Sequence, residues 1–213
     1  MFGTRDVKHL WIRGSAVCVL VLALTLGGSV QGAELGEVEI GDEIPCFKLT
    51  AHGSDEEITL SELEGKLVVI DVRCHRCPWV VGADEFYKEL VAEYEDHDEV
   101  IFIGVDPHAD DWTTTEDVVA YNEEAGVTWP VLQGGDQVWV DAVGATRTPE
   151  IYIVDNRDAD NPMRLVYHGA VSSGGSPGDI GDDYYVADAI EQLLAGGEAD
   201  PAVTSAWGCT IKR

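Results

Sequence analysis

The chain has 213 residues, enough for one ordinary domain with extensions or at most two small ones. Thirteen Lys and Arg stand against 40 Asp and Glu, a formal balance of −27; this argues against a nucleic-acid binder, which needs a basic face, and against docking on an anionic membrane surface. A hydrophobic share of 45% is that of a globular core, which argues against wholesale disorder, and five cysteines are too few for a disulfide scaffold of this length.

Arg5, Lys8 and Arg13 precede an apolar run over 16–26 (AVCVLVLALTL), and small or polar residues follow over 27–33. That is the pattern of a secretory signal peptide, and the run is about half the ~20 residues a spanning helix needs. Cleavage is expected after Gly32 or Ala33, making 1–32 the signal; the alternative is an uncleaved anchor, the one segment through which the chain would then touch a membrane. Removal takes Cys18 with Arg5, Lys8, Arg13 and Asp6, so the balance moves from −27 to −29. Cys46, Cys74, Cys77 and Cys209 remain, in a periplasmic or secreted setting where disulfides persist.

Cys46, in Ile44-Pro45-Cys46-Phe47, reads as a small core residue. Residues 66–72 (KLVVIDV) form a short β-branched run, as a strand buried on both faces would. A helix is expected over 77–94, with Trp79, Ala83, Phe86, Tyr87, Leu90, Val91 and Tyr94 along one stripe. Residues 100–105 (VIFIGV) make the next buried strand, and 116–125 a helix capped by Thr114 or Thr115 and stopped by Gly126. After a short element at 130–132 and a helical turn near 138–143, residues 150–154 (EIYIV) and 164–168 (RLVYH) read as a strand and its hairpin partner. A last helix carries Val186, Ala189, Ile190, Leu193 and Leu194 and ends at Gly196-Gly197. His108 and the stretch 155–161 (DNRDADN) read as solvated loops, and His168 as a surface residue at a strand end. Alternating strands and helices argue one α/β domain with a mixed central sheet flanked by helices.

The sharpest feature is Cys74-His75-Arg76-Cys77-Pro78, where a buried strand meets a helix start. Two thiols at this spacing can close a small disulfide ring and reopen it, and the helix-end N–H groups favour the thiolate. His75 and Arg76 add positive charge in the same direction, and Pro78 suits the first helical turn. Asp71, just upstream, is a candidate proton acceptor for Cys77. A structural disulfide of this spacing would be strained, and half a zinc site would need a second Cys/His pair at finger-like spacing. Copper held by both thiols and a distant imidazole, His108 or His168, stays open. Thr148-Pro149 before EIYIV is compatible with a cis bond that turns main-chain groups outward.

These features resemble the thioredoxin-like fold and, more narrowly, the redoxin branch related to the alkyl hydroperoxide reductase/thiol-specific antioxidant family, closest to exported bacterial thioredoxin-like proteins. The segments RCHRCPWV at 73–80, GVTWPVL at 126–132, ATRTPEIYIVD at 145–155 and GCTIKR at 208–213 carry the resemblance, which spans about residues 37–213. It implies a redoxin domain over 33–197 and a tail over 198–213 carrying Cys209. It also implies Cys74 as the attacking thiol, Cys77 as the resolving one, and a cis Pro149 packed beside them. Near Thr148, a main-chain surface would grip an extended substrate segment, with His75 and Arg76 beside it. Peroxidatic members place Thr or Ser three residues before the attacking cysteine and Pro four before that; here Asp71 and Leu67 stand there.

The expectation is an exported thiol–disulfide oxidoreductase, antioxidant in the broad sense, acting through a mixed disulfide on protein or small-molecule thiols and disulfides. It needs no organic cofactor and no metal, and it has no nucleic-acid partner. The alternatives are a thiol peroxidase and a non-enzymatic copper-binding or chaperone module using the pair and a histidine. Cys209 is expected to be a mobile relay thiol, near Lys212 and Arg213, or else an idle tail cysteine or one tied to Cys46.

Overall fold

The computed structural model describes residues 38–109 and 111–213, all within the unit Glu34–Arg213. The expected signal peptide lies outside the described residues. A small antiparallel hairpin comes first, β1 (Lys48–Thr50) against β2 (Glu57–Thr59), too short to stand out from sequence alternation. Next come β3 (Leu67–Val72), α1 (Pro78–Glu93) and β4 (Val100–Asp106). They are followed by α2 (Thr115–Ala125), β5 (Val131–Gln133), α3 (Val138–Ala142) and β6 (Arg147–Thr148). The chain finishes with the hairpin β7 (Glu150–Asp155) and β8 (Arg164–Gly169), then α4 (Tyr185–Leu194) and β9 (Cys209–Thr210).

The central sheet runs β5-β4-β3-β7-β8. β4 is parallel to β3 and β5, whereas β7 is antiparallel to β3 and β8, so the sheet is mixed. All six residues of β3 are buried, the signature of a central strand covered on both faces. Its side chains alternate between two cores. Val68, Ile70 and Val72 join Ile103, Val105, Trp139 and Val140 on one face. Leu67 and Val69 meet Tyr87 and Leu90 of α1, and Ile190 and Leu193 of α4, on the other. Each such aliphatic side chain contributes roughly 1.5–3 kcal/mol relative to exposure.

The helices end where local chemistry ends them. Thr114 Oγ1 accepts the Asp117 N–H at 3.1 Å to cap α2, and Gly126 in the left-handed region (φ 72°) stops it. Helix α1 buries Val80, Ala83, Asp84, Tyr87 and Leu90, a stripe shifted toward Val80 from the expected one. Among the described residues, no helix is long and apolar enough to cross a membrane.

The stretch 155–161 is not wholly a solvated loop. Asp155 and Asn156 are buried; Asp155 pairs with Arg157 at 2.8 Å, and Asn156 donates to the Leu60 carbonyl at 3.3 Å. His168 is likewise no free surface residue: its Nε2 lies 2.7 Å from Glu150 Oε1, and its ring stacks on Tyr152.

Candidate active site at the carboxyl edge of the sheet

Beyond the carboxyl end of β3, the Arg73 N–H still bonds the Val105 carbonyl (2.9 Å), which holds the next residues to the sheet. Cys77 N–H donates to the Cys74 carbonyl at 2.9 Å, closing the turn that carries both thiols, and Pro78 opens α1. Cys74 and Cys77 are buried, packed with Val80, Trp79 and Cys209. Cys77 Sγ lies 3.0 Å from the Thr148 carbonyl oxygen, to which the thiol can donate. The Thr148-Pro149 bond is cis.

His108 is buried, contrary to its reading as a solvated loop residue. Parallel β3 and β4 end side by side, Val72 opposite Val105, so residues just past both ends share one edge of the sheet. Asp106 Oδ1 accepts the His108 N–H and faces its Nδ1, each at 3.0 Å, while Thr113 Oγ1 donates to Asp106 Oδ2 at 2.9 Å. The imidazole also hydrogen-bonds Cys74. Burial works to lower the His108 pKa, but the bond to Asp106 and the bond and charge of Cys74 overcome it and push it up to about 9. At neutral pH an oriented imidazolium therefore stands beside Cys74. The sequence pairs His108 with the thiols only as a possible copper ligand; its place beside Cys74 follows from the level ends of β3 and β4.

Beneath the turn lies a buried ionic platform. Arg73 bonds Asp84 at 2.7 Å and Asp71 at 3.3 Å, with its guanidinium 5.0 Å from the Trp129 ring centre. Tyr121 donates to the second oxygen of Asp84. Gly104 leaves room for this arginine: a Cβ there would sit 2.8 Å from Arg73 Cδ. Burial, with the charge of Asp84, pushes the Asp71 carboxyl up to about 7 against the pull of Arg73. Asp71 is thus engaged with Arg73. The groups acting most strongly on Cys77 are Cys209, Thr148 and Val80, while the other oxygen of Asp71, the expected proton acceptor, is buried without a hydrogen-bond partner.

The open side is a cleft of about 130 Å³ whose wall includes both thiols, His108, Thr148, Cys209 and Lys212. Trp112 on its rim is clasped by two cations, Arg76 at 4.6 Å and Lys212 at 2.9 Å from the ring centre, and its carbonyl accepts from Arg76 at 2.7 Å. His75 turns away to the Tyr121 ring, and its pKa is lowered, chiefly by burial. Its expected positive charge at neutral pH is therefore absent; the cation on the pair is His108.

The tail is docked, not mobile: β9 pairs with β6 antiparallel, Cys209 opposite Thr148 and Thr210 opposite Arg147. Burial works to raise the Cys77 thiol, but bonds from the Cys209 and Thr148 side chains and from main-chain N–H groups bring it below its ordinary value. Cys209 is pushed up to about 11 by burial and by its bond to Cys77. Cys77 is thus the more acidic thiol of that pair and Cys209 the less acidic one. Cys46 is exposed, with its sulfur 3.4 Å from Ser61 Oγ, so it is not a core residue. Ile44 and Phe47 fill the core on either side of it. For a metal, the one grouping of the required donors among the described residues is Cys74, Asp106 and His108, with ligand atoms within 4.8 Å of one another.

The AhpC/TSA family model matches residues 40–159, more than half of the chain. The chain belongs to the AhpC/TSA family. Its fold is thioredoxin-like, as solved structures make plain. An uncharacterized conserved protein from Geobacillus kaustophilus is 23% identical, with TM-score 0.73, covering 82% of this chain and 92% of its own. A hypothetical protein from Sinorhizobium meliloti 1021 is 24% identical, with TM-score 0.72, covering 83% and 96%. The thioredoxin domain of a thiol-disulfide oxidoreductase from Bacteroides vulgatus is 18% identical, with TM-score 0.50, covering 62% and 88%. No curated protein matches the chain.

Proposed function

We propose that this AhpC/TSA family member is an exported thiol–disulfide oxidoreductase whose redox centre is Cys74 and Cys77. The observation that carries the reading is the placement of these two thiols at the head of α1, beside Thr148 and an imidazolium, in a cleft open to a partner. Cys74 sulfur attacks a partner disulfide, one partner sulfur leaves as a thiolate, and a mixed disulfide forms. The His108 imidazolium holds a proton beside Cys74 that can pass to the leaving sulfur. Cys77 then attacks Cys74, closing the Cys74–Cys77 disulfide and releasing the second partner thiol; run backwards, the same steps oxidise a partner dithiol. Thr148 lines the cleft next to the cis Pro149, and the cations Arg76 and Lys212 favour acidic segments or small anionic thiols. Residues 1–32 act as the export signal and 33–197 as the redoxin domain.

Insulin reduction with a thiol donor tests this. Cys74→Ser is expected to abolish turnover; an active Cys74→Ser protein overturns the assignment. Peroxide consumption with the same donor tests the peroxidase alternative, for which Asp71, bound to Arg73, offers no hydroxyl. A second reading is a copper-binding module using the two thiols and a histidine; Cys74 and His108 lie within 4.8 Å of each other, but Asp106 and not Cys77 completes that grouping. Stoichiometric, sub-micromolar Cu(I) binding with no disulfide exchange would replace the first reading by this one.

A further inference from the structure

The last six residues are built into the domain. Ile211 is buried, and its N–H bonds the Thr146 carbonyl at 3.0 Å. Arg213 reaches Asp141 and the Ala145 carbonyl, each at 2.8 Å. Gly208 (φ 144°) lets the backbone press on β6: a Cβ there would lie 2.1 Å from the Thr148 carbonyl oxygen. Strand β9 thereby takes the main-chain edge of Arg147 and Thr148, the edge an extended partner segment would pair with by strand addition. It presents a cysteine there, packed against Cys74 and Cys77.

We propose that Cys77 has two disulfide partners, Cys74 and Cys209, and that the carboxyl-terminal strand is a built-in substrate of the dithiol centre. The proposal rests on the exchange reading above. After a partner disulfide has oxidised the pair, the Cys209 thiolate attacks Sγ of Cys77. The Cys77–Cys209 bond forms, the Cys74–Cys77 bond breaks, and Cys74 leaves as a thiolate next to the His108 imidazolium. The proton from Cys209 passes to water, and no electrons are gained or lost. In the reduced protein burial, then the bond to Cys77 and the charges of Cys77 and Cys74, raise the Cys209 pKa. Oxidation of the pair removes the sulfur contributions though not the burial, so the third thiol ionises more readily once the disulfide it attacks exists. The product fastens β9 covalently to the Thr148 edge that it already occupies, while Cys74 is free again.

Peptide mass spectrometry of the full chain decides the matter, after equilibration in glutathione buffers, acid quenching and alkylation. Both Cys74–Cys77 and Cys77–Cys209 linkages are expected, in a ratio that stays constant across the buffers because their exchange is redox-neutral. Absence of Cys77–Cys209 at every glutathione ratio overturns the proposal. Cys74→Ser treated with oxidised glutathione is expected to close Cys77–Cys209; a chain that stops at glutathionylated or unbridged Cys77 counts against it. Gly208→Ala is expected to lower the Cys77–Cys209 share about tenfold, through the clash and the strained φ, and an unchanged share overturns the role of the strand. The two readings fail separately. Cys77–Cys209 without any Cys74–Cys77 sinks the exchange centre and keeps the pairing, whereas insulin turnover with Cys74–Cys77 alone does the reverse.

Discussion

Replacing His108 by Asn probes the imidazolium without removing the donor toward Asp106, because an Asn amide can still hydrogen-bond that carboxylate. The rise of the His108 pKa from 6.5 to about 9 amounts to about 3 kcal/mol of preference for the protonated ring. Asp106 and Cys74 share that preference. If Cys74 supplies half, the imidazolium stabilises the reduced, anionic centre by about 1.5 kcal/mol. At ~30 mV per 1.4 kcal/mol for a two-electron couple, His108→Asn should lower the reduction potential by about 30 mV at pH 7. The assay is equilibrium against a glutathione series, read by alkylation of Cys74 and Cys77. The sign of the pH effect follows from the same group. Its folded pKa lies above its unfolded one, so its stabilisation is complete below about pH 6.5 and is lost as pH rises through about 9. The variant should therefore lose stability less steeply across that window. A potential within about 10 mV of wild type, with an unchanged pH profile, would refute the role given to the imidazolium.

Arg73→Met leaves Asp71 and Asp84 buried without their cation, and urea unfolding at pH 8 should show a loss of about 3–5 kcal/mol. The loss should shrink at pH 5. Asp71 already has a folded pKa of about 7 against an ordinary 3.8, so protonation relieves its cost as pH falls through that range. An equal loss at both pH values would contradict the platform. Glu150→Gln removes the carboxylate that accepts the Thr146 and Arg147 N–H groups at 2.8 Å and faces His168 at 2.7 Å. A loss of about 1–3 kcal/mol is expected in thermal unfolding at pH 7. Burial works to raise the Glu150 pKa, but the His168 and main-chain bonds hold it below 4.5. Its contribution is thus present above about pH 4.5 and lost as pH falls through the folded pKa, which the melts should follow.

Much of the fold was legible because its elements obey short-range rules. The buried runs at 67–72 and 100–106, the helix opened by Pro78, and the Thr114 and Gly126 caps each announce themselves within a few residues. The thiol pair was legible for the same reason. What was not legible depends on register between distant segments. His108 reaches Cys74 because β3 and β4 end level in a parallel pair, a relation that the local pattern after β4 does not carry. Cys209 faces Thr148 because a two-residue strand, far too short to show periodicity, is fixed by the burial of Ile211 and by the glycine before it. Cys46 misled through its neighbours: Ile44 and Phe47 point into the core, and the cysteine between them faces solvent. His75 misled because a histidine beside a reactive thiol suggests a cation, while half-burial against Tyr121 keeps it neutral.

The central claim is that Cys74 attacks and Cys77 resolves. Its most direct measurement is the intact mass of Cys77→Ser protein incubated with a disulfide-bonded protein, quenched in acid and mapped by peptide. A stable mixed disulfide on Cys74 is expected, lost in the Cys74→Ser, Cys77→Ser double variant. An adduct carried by another cysteine, or no adduct while insulin reduction continues, would contradict it.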